Sequence, residues 1–244
     1  MLHNTRGIVL RSVKYGDTSL ISTVFTELYG VQSYMVQGVR SAKSKNHKAG
    51  LLQPSTLLEM VVYHNPQKKL QHIREFRPAH VYQSLQEDIV KNSIALFSAE
   101  LLLKLLPENA ISPELFTFGF EYYVRLDTMS VNEVANFPLW FIIECSRILG
   151  YTVNGSYSTE TPHLDLREGA YSKYPPATRP FVNDEDAQAL SKLLALTEAK
   201  QLKEVTMNAA MRYRLLDWYI EFLHLHTQHL GNMKSLAVLQ AILH

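Results

Sequence analysis

A run of cations between positions 40 and 48 is the segment of this chain best suited to chemistry. The run reads RSAKSKNHK and contains Arg40, Lys43, Lys45 and Lys48 with no acidic residue. Flexible, closely spaced cations can release the counterions condensed on a nucleic acid and bind its phosphates. The alternative interpretation is a solvated loop that is polar only for solubility.

More cations in the same part of the chain favour phosphate binding. Arg6, Arg11 and Lys14 belong to one strand-like segment, and Lys68 and Lys69 belong to a turn. Several cations on one module raise the local concentration of a polyanion. The predicted phosphate contacts are Arg11, Lys14, Arg40, Lys43, Lys45, Lys48, Lys68 and Lys69.

The charge of the chain is divided unequally along its length. Residues 1–80 hold eleven Lys and Arg against four acidic residues, a net charge of +7. Residues 81–244 hold thirteen basic and nineteen acidic residues, a net charge of −6. The total of +1 hides a basic module joined to an acidic body, which indicates a binding protein before it indicates a catalyst.

Short apolar runs separated by turn residues predict five strands in the basic module. A long connection from Arg40 to Pro54 separates the third strand from the fourth, as in an OB-type barrel, which commonly binds oligonucleotides. Four tyrosines in this module could stack on bases or fill the barrel core, namely Tyr15, Tyr29, Tyr34 and Tyr63. The predicted strands are 6–15, 19–26, 31–39, 57–63 and 70–76.

Beyond Pro78 the apolar residues recur at helical spacing, so we predict domains at residues 1–79 and 80–244. The first helical run extends from Val81 to Leu105, and a region rich in Gly, Ser and Pro at 151–180 interrupts the later helices. Within it, HLDLREGAY predicts a small hairpin. The fold class is therefore α+β, an OB-type barrel followed by a mainly helical domain with an irregular insert. Further helices are predicted at 113–126, 131–149, 184–196, 207–230 and 234–243.

Several functional classes have no signal in the sequence. The nucleotide-binding GxxxxGK[ST] and GxGxxG patterns and the hydrolase patterns HExxH and GxSxG do not occur. The single cysteine, Cys145, excludes an internal disulfide and a multi-cysteine zinc site. No stretch is long and apolar enough to predict a membrane span. These absences weaken the commonest enzyme classes without eliminating enzymes, and we expect a cytoplasmic protein without cofactor or metal.

The N-terminal segment TRGIVLRSVKYGDTSLISTVFTELYG, followed by GVRSAKS and LQP, resembles the signature of the RecO family of bacterial recombination mediators. The C-terminal segment NMKSLAVLQAIL also resembles that family. The resemblance implies binding to single- and double-stranded DNA, annealing of complementary strands, and nucleoid association. It also implies work with RecR to load RecA onto DNA coated by single-stranded DNA-binding protein (SSB).

Two positions depart from the family pattern. Gln37 stands where the family usually has a basic residue before glycine, and the region 151–180 lacks the four cysteines that many members have there. We therefore expect an insert that folds without zinc. The acidic C-terminal tail of SSB requires a cation beside an apolar surface, for which Arg212 and Arg214 beside Tyr213 are candidates.

Two other functional classes remain open from the residues alone. One is an RNA-binding or ribosome-associated OB protein, because charge does not separate RNA from DNA. The other is an enzyme with an unfamiliar site in the helical domain, built for example from Glu144, His163 or Asp165.

Overall fold

Five N-terminal strands close into a barrel in the computed structural model, which describes residues 2–41, 48–228 and 230–243. Their order around the barrel is β1-β2-β3-β5-β4, with β3 parallel to β5 and every other pair antiparallel. The predicted barrel is confirmed. The strands are β1 (Leu2–Tyr15), β2 (Ser19–Thr26), β3 (Gly30–Val36), β4 (Leu57–Tyr63) and β5 (Leu70–Pro78).

Alternation of side chains along these strands fills the barrel. Ser22, Tyr34 and Val62 are fully buried, while their strand neighbours are more exposed. The connection between β3 and β4 contains a short 3₁₀ helix, Lys48–Leu52, whose last residue packs into the same core. The barrel core therefore uses both the strands and part of the long connection.

Two helices, α1 (Ile89–Leu105) and α2 (Pro113–Thr128), cover the outer side of β1 and β2. The rings of Phe25 and Phe116 are 5.5 Å apart in an edge-to-face arrangement. A Cβ placed on Gly119 would be 3.3 Å from Ile8 Cδ1, so this helix lies directly against the barrel. Barrel and helices form one compact unit, Met1–Met129. The predicted boundary after residue 79 stays a prediction.

The prediction that the first helical run begins at Val81 is wrong. The helix begins at Ile89, because the Asp88 side chain accepts hydrogen bonds from the N–H groups of Val90 and Lys91 and caps the helix. Residues 79–88 form turns and irregular structure instead. The buried carboxylate of Asp127 holds this segment.

The second compact unit, Ser130–His244, contains four helices and a three-stranded sheet. The prediction of one helix over 131–149 is wrong, since Val131–Glu133 is a separate 3₁₀ turn with its own capping box. The predicted hairpin is confirmed, and a third strand pairs with it. The elements are α3 (Phe137–Ile148), β6 (His163–Asp165), β7 (Ala170–Ser172), β8 (Phe181–Val182), α4 (Asp184–Leu194), α5 (Ala209–His226) and α6 (Lys234–Ile242).

Within the described residues, no helix combines the length and the apolar character that a membrane crossing requires.

Candidate nucleic-acid interface

Three of the predicted cations lie near the turn that joins β1 to β2. The Arg40 backbone N–H donates to the Thr18 carbonyl over 3.0 Å, and Arg40 Nη1 lies 3.4 Å from the Gly16 carbonyl. Lys14 is exposed at the adjacent end of β1. Arg11 is exposed farther along the same strand, where it pairs with Thr23 of β2. The fold thus brings Arg40 to the turn that follows Lys14, although Arg40 lies more than twenty positions later in the sequence.

Ion pairing separates these cations from the other arginines of the barrel. Arg6 makes a bidentate contact with Glu27, at 2.9 and 2.7 Å. Arg77 binds Glu59 at 2.5 Å. Arg74 is paired with a glutamate in the same way. In the described part of the chain, by contrast, no carboxylate lies within 4 Å of any of Arg11, Lys14, Arg40, Lys48, Lys68 and Lys69.

The Arg6–Glu27 pair shows why sequence position alone is a poor guide to available charge. The hydrogen bond from Arg6, helped by its positive charge, outweighs burial and lowers the pKa of the Glu27 carboxyl. The guanidinium also lies 4.9 Å from the centroid of the Phe120 ring. Arg6 is therefore a structural residue, although its sequence context matches that of Arg11.

Lys68 and Lys69 are exposed in the turn between β4 and β5, at the other end of the barrel. The ring of His64 in this turn stacks at 3.8 Å on Tyr29, which belongs to the turn between β2 and β3. The turn between β2 and β3 and the turn between β1 and β2, beside which Arg40 lies, flank opposite ends of β2. The eight residues of β2 extend about 25 Å. The structure therefore does not bring all of the predicted cations together.

The remaining predicted cations belong to the long connection. Lys48 begins the 3₁₀ helix, and its Nζ lies 5.8 Å from the centroid of the Phe76 ring. Its half-buried side chain makes it less available than Arg40. Lys43 and Lys45 lie outside the described residues.

The four candidate tyrosines differ in how exposed they are. Tyr34 is fully buried, and burial raises the pKa of its hydroxyl. Tyr29 is half-buried under the His64 ring. Tyr15 and Tyr63 are 53% and 50% exposed, so only these two can offer a ring face to solvent.

A continuous row of mostly apolar side chains crosses the outer face of the barrel, and the sequence did not reveal it. The register pairs Val13 with Ile21, Ile21 with Met35, Met35 with His72, and His72 with Tyr63. The row was hidden because Tyr34, Met35 and Val36 are consecutive apolar residues, and only strand pairing shows that Met35 points outward. We name the row Val13, Ile21, Met35, His72 and Tyr63 the outer row.

A groove of about 550 Å³ lies elsewhere on the barrel and is lined by three glutamates and two arginines. Both arginines, Arg6 and Arg77, are bound to carboxylates. This balance of charge gives phosphate no advantage there.

The side chains considered for an enzyme site in the second unit have local structural contacts. Glu144 forms an ion pair with Arg147, which also donates to the Leu194 carbonyl. Asp165 accepts the Arg167 N–H at the hairpin turn, over 2.8 Å. The His163 ring packs edge-on against Phe181. Glu144 and Asp165 thus have local structural partners, whereas Nδ1 of His163 is buried without a hydrogen-bond partner among the described residues.

The residues predicted to bind the acidic SSB tail, Arg212, Tyr213 and Arg214, differ in their hydrogen-bond partners. Arg214 donates through Nε and Nη2 to the two carboxylate oxygens of Asp186, each over 2.7 Å. Arg212 is half-buried and donates through Nε to the neutral side chain of Asn136 over 3.0 Å. Burial lowers the pKa of Arg212. The Tyr213 hydroxyl donates to the Gln240 carbonyl.

A closed five-stranded barrel with exposed, unpaired cations defines a class, the OB-type barrel proteins, which commonly bind oligonucleotides. Comparison with known families specifies the class further. Residues 1–82 match the family described as recombination protein O N terminal, and residues 86–237 match its C-terminal counterpart. The chain belongs to the RecO family.

Curated relatives carry the same assignment across the full length. Proteins named DNA repair protein RecO from Bacteroides fragilis and Phocaeicola vulgatus are 32% and 31% identical, and the alignments cover 99% of each chain. The protein of that name from Azobacteroides pseudotrichonymphae is 28% identical, again over 99% of both chains. The resemblance in the sequence is thereby confirmed, and the family is one of DNA repair proteins. The RNA-binding alternative gains no support from these relatives.

Proposed function

We propose that this protein is a DNA-binding recombination mediator that acts without covalent catalysis. It binds single- and double-stranded DNA, anneals complementary strands, and works with RecR to load RecA onto SSB-coated DNA in the bacterial nucleoid. The observation that carries the proposal is the separation of barrel cations into paired and unpaired sets. In a RecO-family barrel, cations without an acidic partner are the groups available to phosphate.

The principal phosphate contacts in this proposal are Arg11, Lys14 and Arg40. All three are exposed: Arg11 and Lys14 lie three residues apart in the second half of β1, on opposite faces of the strand, and Arg40 lies beside the turn that follows them. Asp17 is exposed in the turn that follows β1, and among the described residues 2–41 and 48–80 it is the one acidic residue that no arginine pairs with. The local balance therefore favours an anion.

The outer row adds a reason for single-stranded DNA to bind beside these cations. Val13 follows Arg11 by two residues, so both project from the same face of β1. Exposed apolar and aromatic side chains can stack on bases only when the bases are unpaired. The phosphates of duplex DNA can bind the same cations, but its bases stay stacked inside the helix. We therefore expect tighter binding to a single strand than to a duplex of equal length.

Annealing follows from the same electrostatics. Two complementary strands repel each other through their phosphates, and bound cations reduce that repulsion. For the partner proteins, we propose that the SSB tail binds at Arg212 rather than Arg214. Arg212 has no carboxylate partner in the described part of the chain, whereas Arg214 has two hydrogen bonds to one.

The first prediction concerns salt dependence. Replacing Arg11, Lys14 and Arg40 together by Ala should weaken binding to a fluorescent single-stranded oligonucleotide. Each lost phosphate contact reduces the slope of log K against log salt by about 0.7, so the slope should become less steep by about 2. Fluorescence anisotropy between low and moderate salt measures both quantities.

The matched control is Arg77→Ala, which removes one positive charge from the same barrel but from a residue already paired with Glu59. It should leave the slope unchanged. A triple variant with the slope of the parent protein would refute the assignment of these contacts. A parallel titration with RNA of the same sequence tests the RNA alternative, and annealing of SSB-coated strands with RecR separates a mediator from a general DNA binder.

A further inference from the structure

The small sheet of the second unit carries an exposed group of three cations and one tyrosine. Arg167 lies in the turn between β6 and β7, and residues 173–180 connect β7 to β8. Since β7 and β8 pair with opposite edges of β6, this connection passes from one edge of the sheet to the other. We name Arg167, Lys173, Tyr174 and Arg179 the insert surface. All four are exposed.

Ion pairing distinguishes the insert surface from most of its unit. The unit is acidic, and four of its cations, Arg147, Lys200, Lys203 and Arg214, are bound to carboxylates. Among the described residues, no carboxylate lies within 4 Å of Arg167, Lys173 or Arg179. These cations can therefore bind an external anion without breaking an existing pair.

Tyr174 gives this surface a second chemical property. Its side chain is 73% exposed, more than Tyr15 or Tyr63 on the barrel. Lys173 Nζ lies 5.7 Å from the centroid of its ring. An exposed aromatic ring beside a cation is suited to stacking on a base while the cation meets the phosphate.

The insert surface is held in place by its own hydrogen bonds. The Ser172 hydroxyl donates to the Tyr174 carbonyl over 2.9 Å, and Arg167 Nε donates to the Arg179 carbonyl over 3.3 Å. The Tyr171 hydroxyl donates to the Ala187 carbonyl over 2.8 Å and ties β7 to α4. Ordering this connection in the free protein lowers the entropy lost when a ligand binds.

We propose that the insert surface is a second nucleic-acid contact, in which Arg167, Lys173 and Arg179 bind phosphates and Tyr174 stacks on an unpaired base. This inference rests on the proposed DNA-binding function and extends it from the barrel to the second unit. With two separate contacts, one molecule can hold two strands, or two parts of one strand, during annealing.

A direct test places a reporter at the stacking position. In Tyr174→Trp, a single-stranded oligonucleotide should quench the added tryptophan emission, measured against the parent protein with Trp140 and Trp218 alone. The quenching should saturate, weaken with salt, and persist when Arg11, Lys14 and Arg40 are all replaced by Ala. An acidic peptide in place of DNA is the competing ligand. If the peptide quenches this emission and DNA does not, the proposal is overturned.

A functional test combines Lys173→Ala, Tyr174→Ala and Arg179→Ala. Because stacking and phosphate contacts to the second strand are lost, the initial annealing rate should fall about tenfold. The affinity for one short strand should change less than about threefold, since the barrel contacts remain. Lys192→Ala is the matched control: Lys192 is an exposed lysine in α4 of the same unit, and its loss should leave annealing unchanged.

The outcomes separate this inference from the function on which it rests. An unchanged annealing rate, or the absence of quenching in a protein that binds DNA through the barrel, overturns the insert contact and leaves the proposed function intact. If the parent protein neither binds nor anneals DNA, the proposed function itself fails. An equal loss of annealing in the Lys192 control would also overturn the insert contact, because net charge alone would then account for the effect.

Discussion

At the scale of single residues, pairing decides what a charged side chain can do. Arg6 and Arg11 are five positions apart in one strand, yet Arg6 binds Glu27 and Arg11 has an exposed side chain. The distinction depends on where the fold places acidic side chains. By the same rule we propose Arg212 rather than Arg214 as the anion site, because only Arg214 is bound to a carboxylate in the described part of the chain.

The hydrogen bonds of Asp127 link pairing to stability. Its buried carboxylate accepts three N–H groups of residues 83–85 at 2.9–3.0 Å, and His80 Nε2 lies 3.1 Å away. The buried Lys91 ammonium donates to the Asp127 carbonyl over 2.8 Å. Burial opposes ionisation, but the hydrogen bonds outweigh it and lower the pKa of Asp127 to about 2.

We expect Asp127→Asn to lower the free energy of unfolding at pH 7 by about 3 kcal/mol, because an amide cannot accept all of these N–H groups. A carboxyl with a lowered pKa stabilises the fold above its unfolded pKa of about 4 and loses that effect as pH falls toward 2. The difference in the free energy of unfolding between the parent protein and Asp127→Asn should therefore become smaller below pH 4. Urea unfolding at pH 7, 5 and 3 measures it.

The control is Asp88→Asn. Asparagine is also a good N-cap for α1, so this substitution should change the free energy of unfolding little. A gap between parent and Asp127→Asn that stays constant down to pH 2.5 would contradict the role of the ionised carboxylate.

At the scale of elements, the turn between β2 and β3 is fixed by the loop that joins α1 to α2. The Asn109 N–H donates to the Val31 carbonyl over 3.1 Å, and Gln32 Nε2 donates to Asn109 Oδ1 over 2.8 Å. Gly30 has a φ of +64°, and a Cβ there would be 2.1 Å from the Ala110 carbonyl oxygen. The close approach of helix loop and strand turn therefore requires glycine.

We expect Gly30→Ala to lower the free energy of unfolding by about 3 kcal/mol, through backbone strain and a clash with Ala110 together. Gly38→Ala is the matched comparison, since Gly38 has a φ of +71° but no atom within 4 Å of an added Cβ. Gly38→Ala should lower the free energy of unfolding by only about 1 kcal/mol, because it adds backbone strain without a clash. Chemical denaturation compares the two, and equal losses would show that packing on Ala110 contributes nothing.

At the scale of the whole molecule, the charge division of the sequence becomes less extreme in the fold. The first 80 residues have a net charge of +7, but the unit that contains them extends to Met129, and residues 81–129 add three basic and seven acidic residues. That unit holds fourteen basic and eleven acidic residues, a net charge of +3, and the second unit has a net charge of −2. Under the proposed function we therefore expect local unpaired cations, rather than the net charge of each unit, to govern DNA binding.

Fragments of the chain test which segment folds as a unit. We expect residues 1–129 to unfold cooperatively and to give dispersed amide resonances, while residues 1–79 should not. Ile8 and Phe25 are fully buried beside α2, so the shorter fragment would expose them. Circular dichroism melting and amide NMR spectra measure the difference. A well-folded 1–79 fragment would instead support the domain boundary predicted from the sequence.

The sequence by itself determined the elements and the family. The bounds of β2 and β4 follow from apolar runs between turn residues, and the N-terminal segment carries the RecO resemblance. These features are local, so residues adjacent in the chain are enough to specify them. Asp88 caps α1 locally, but only the tertiary structure decided that residues 83–85 stay outside the helix, because Asp127, some forty residues away, binds their N–H groups.

The candidate site likewise has features that the sequence predicted and features that only the tertiary structure showed. The sequence identified Arg11, Lys14 and Arg40 as cations, since residue type alone gives charge. Their availability, the outer row and the insert surface depend on strand register and on the positions of distant carboxylates. Those are long-range relations, which a single sequence does not encode in any local pattern.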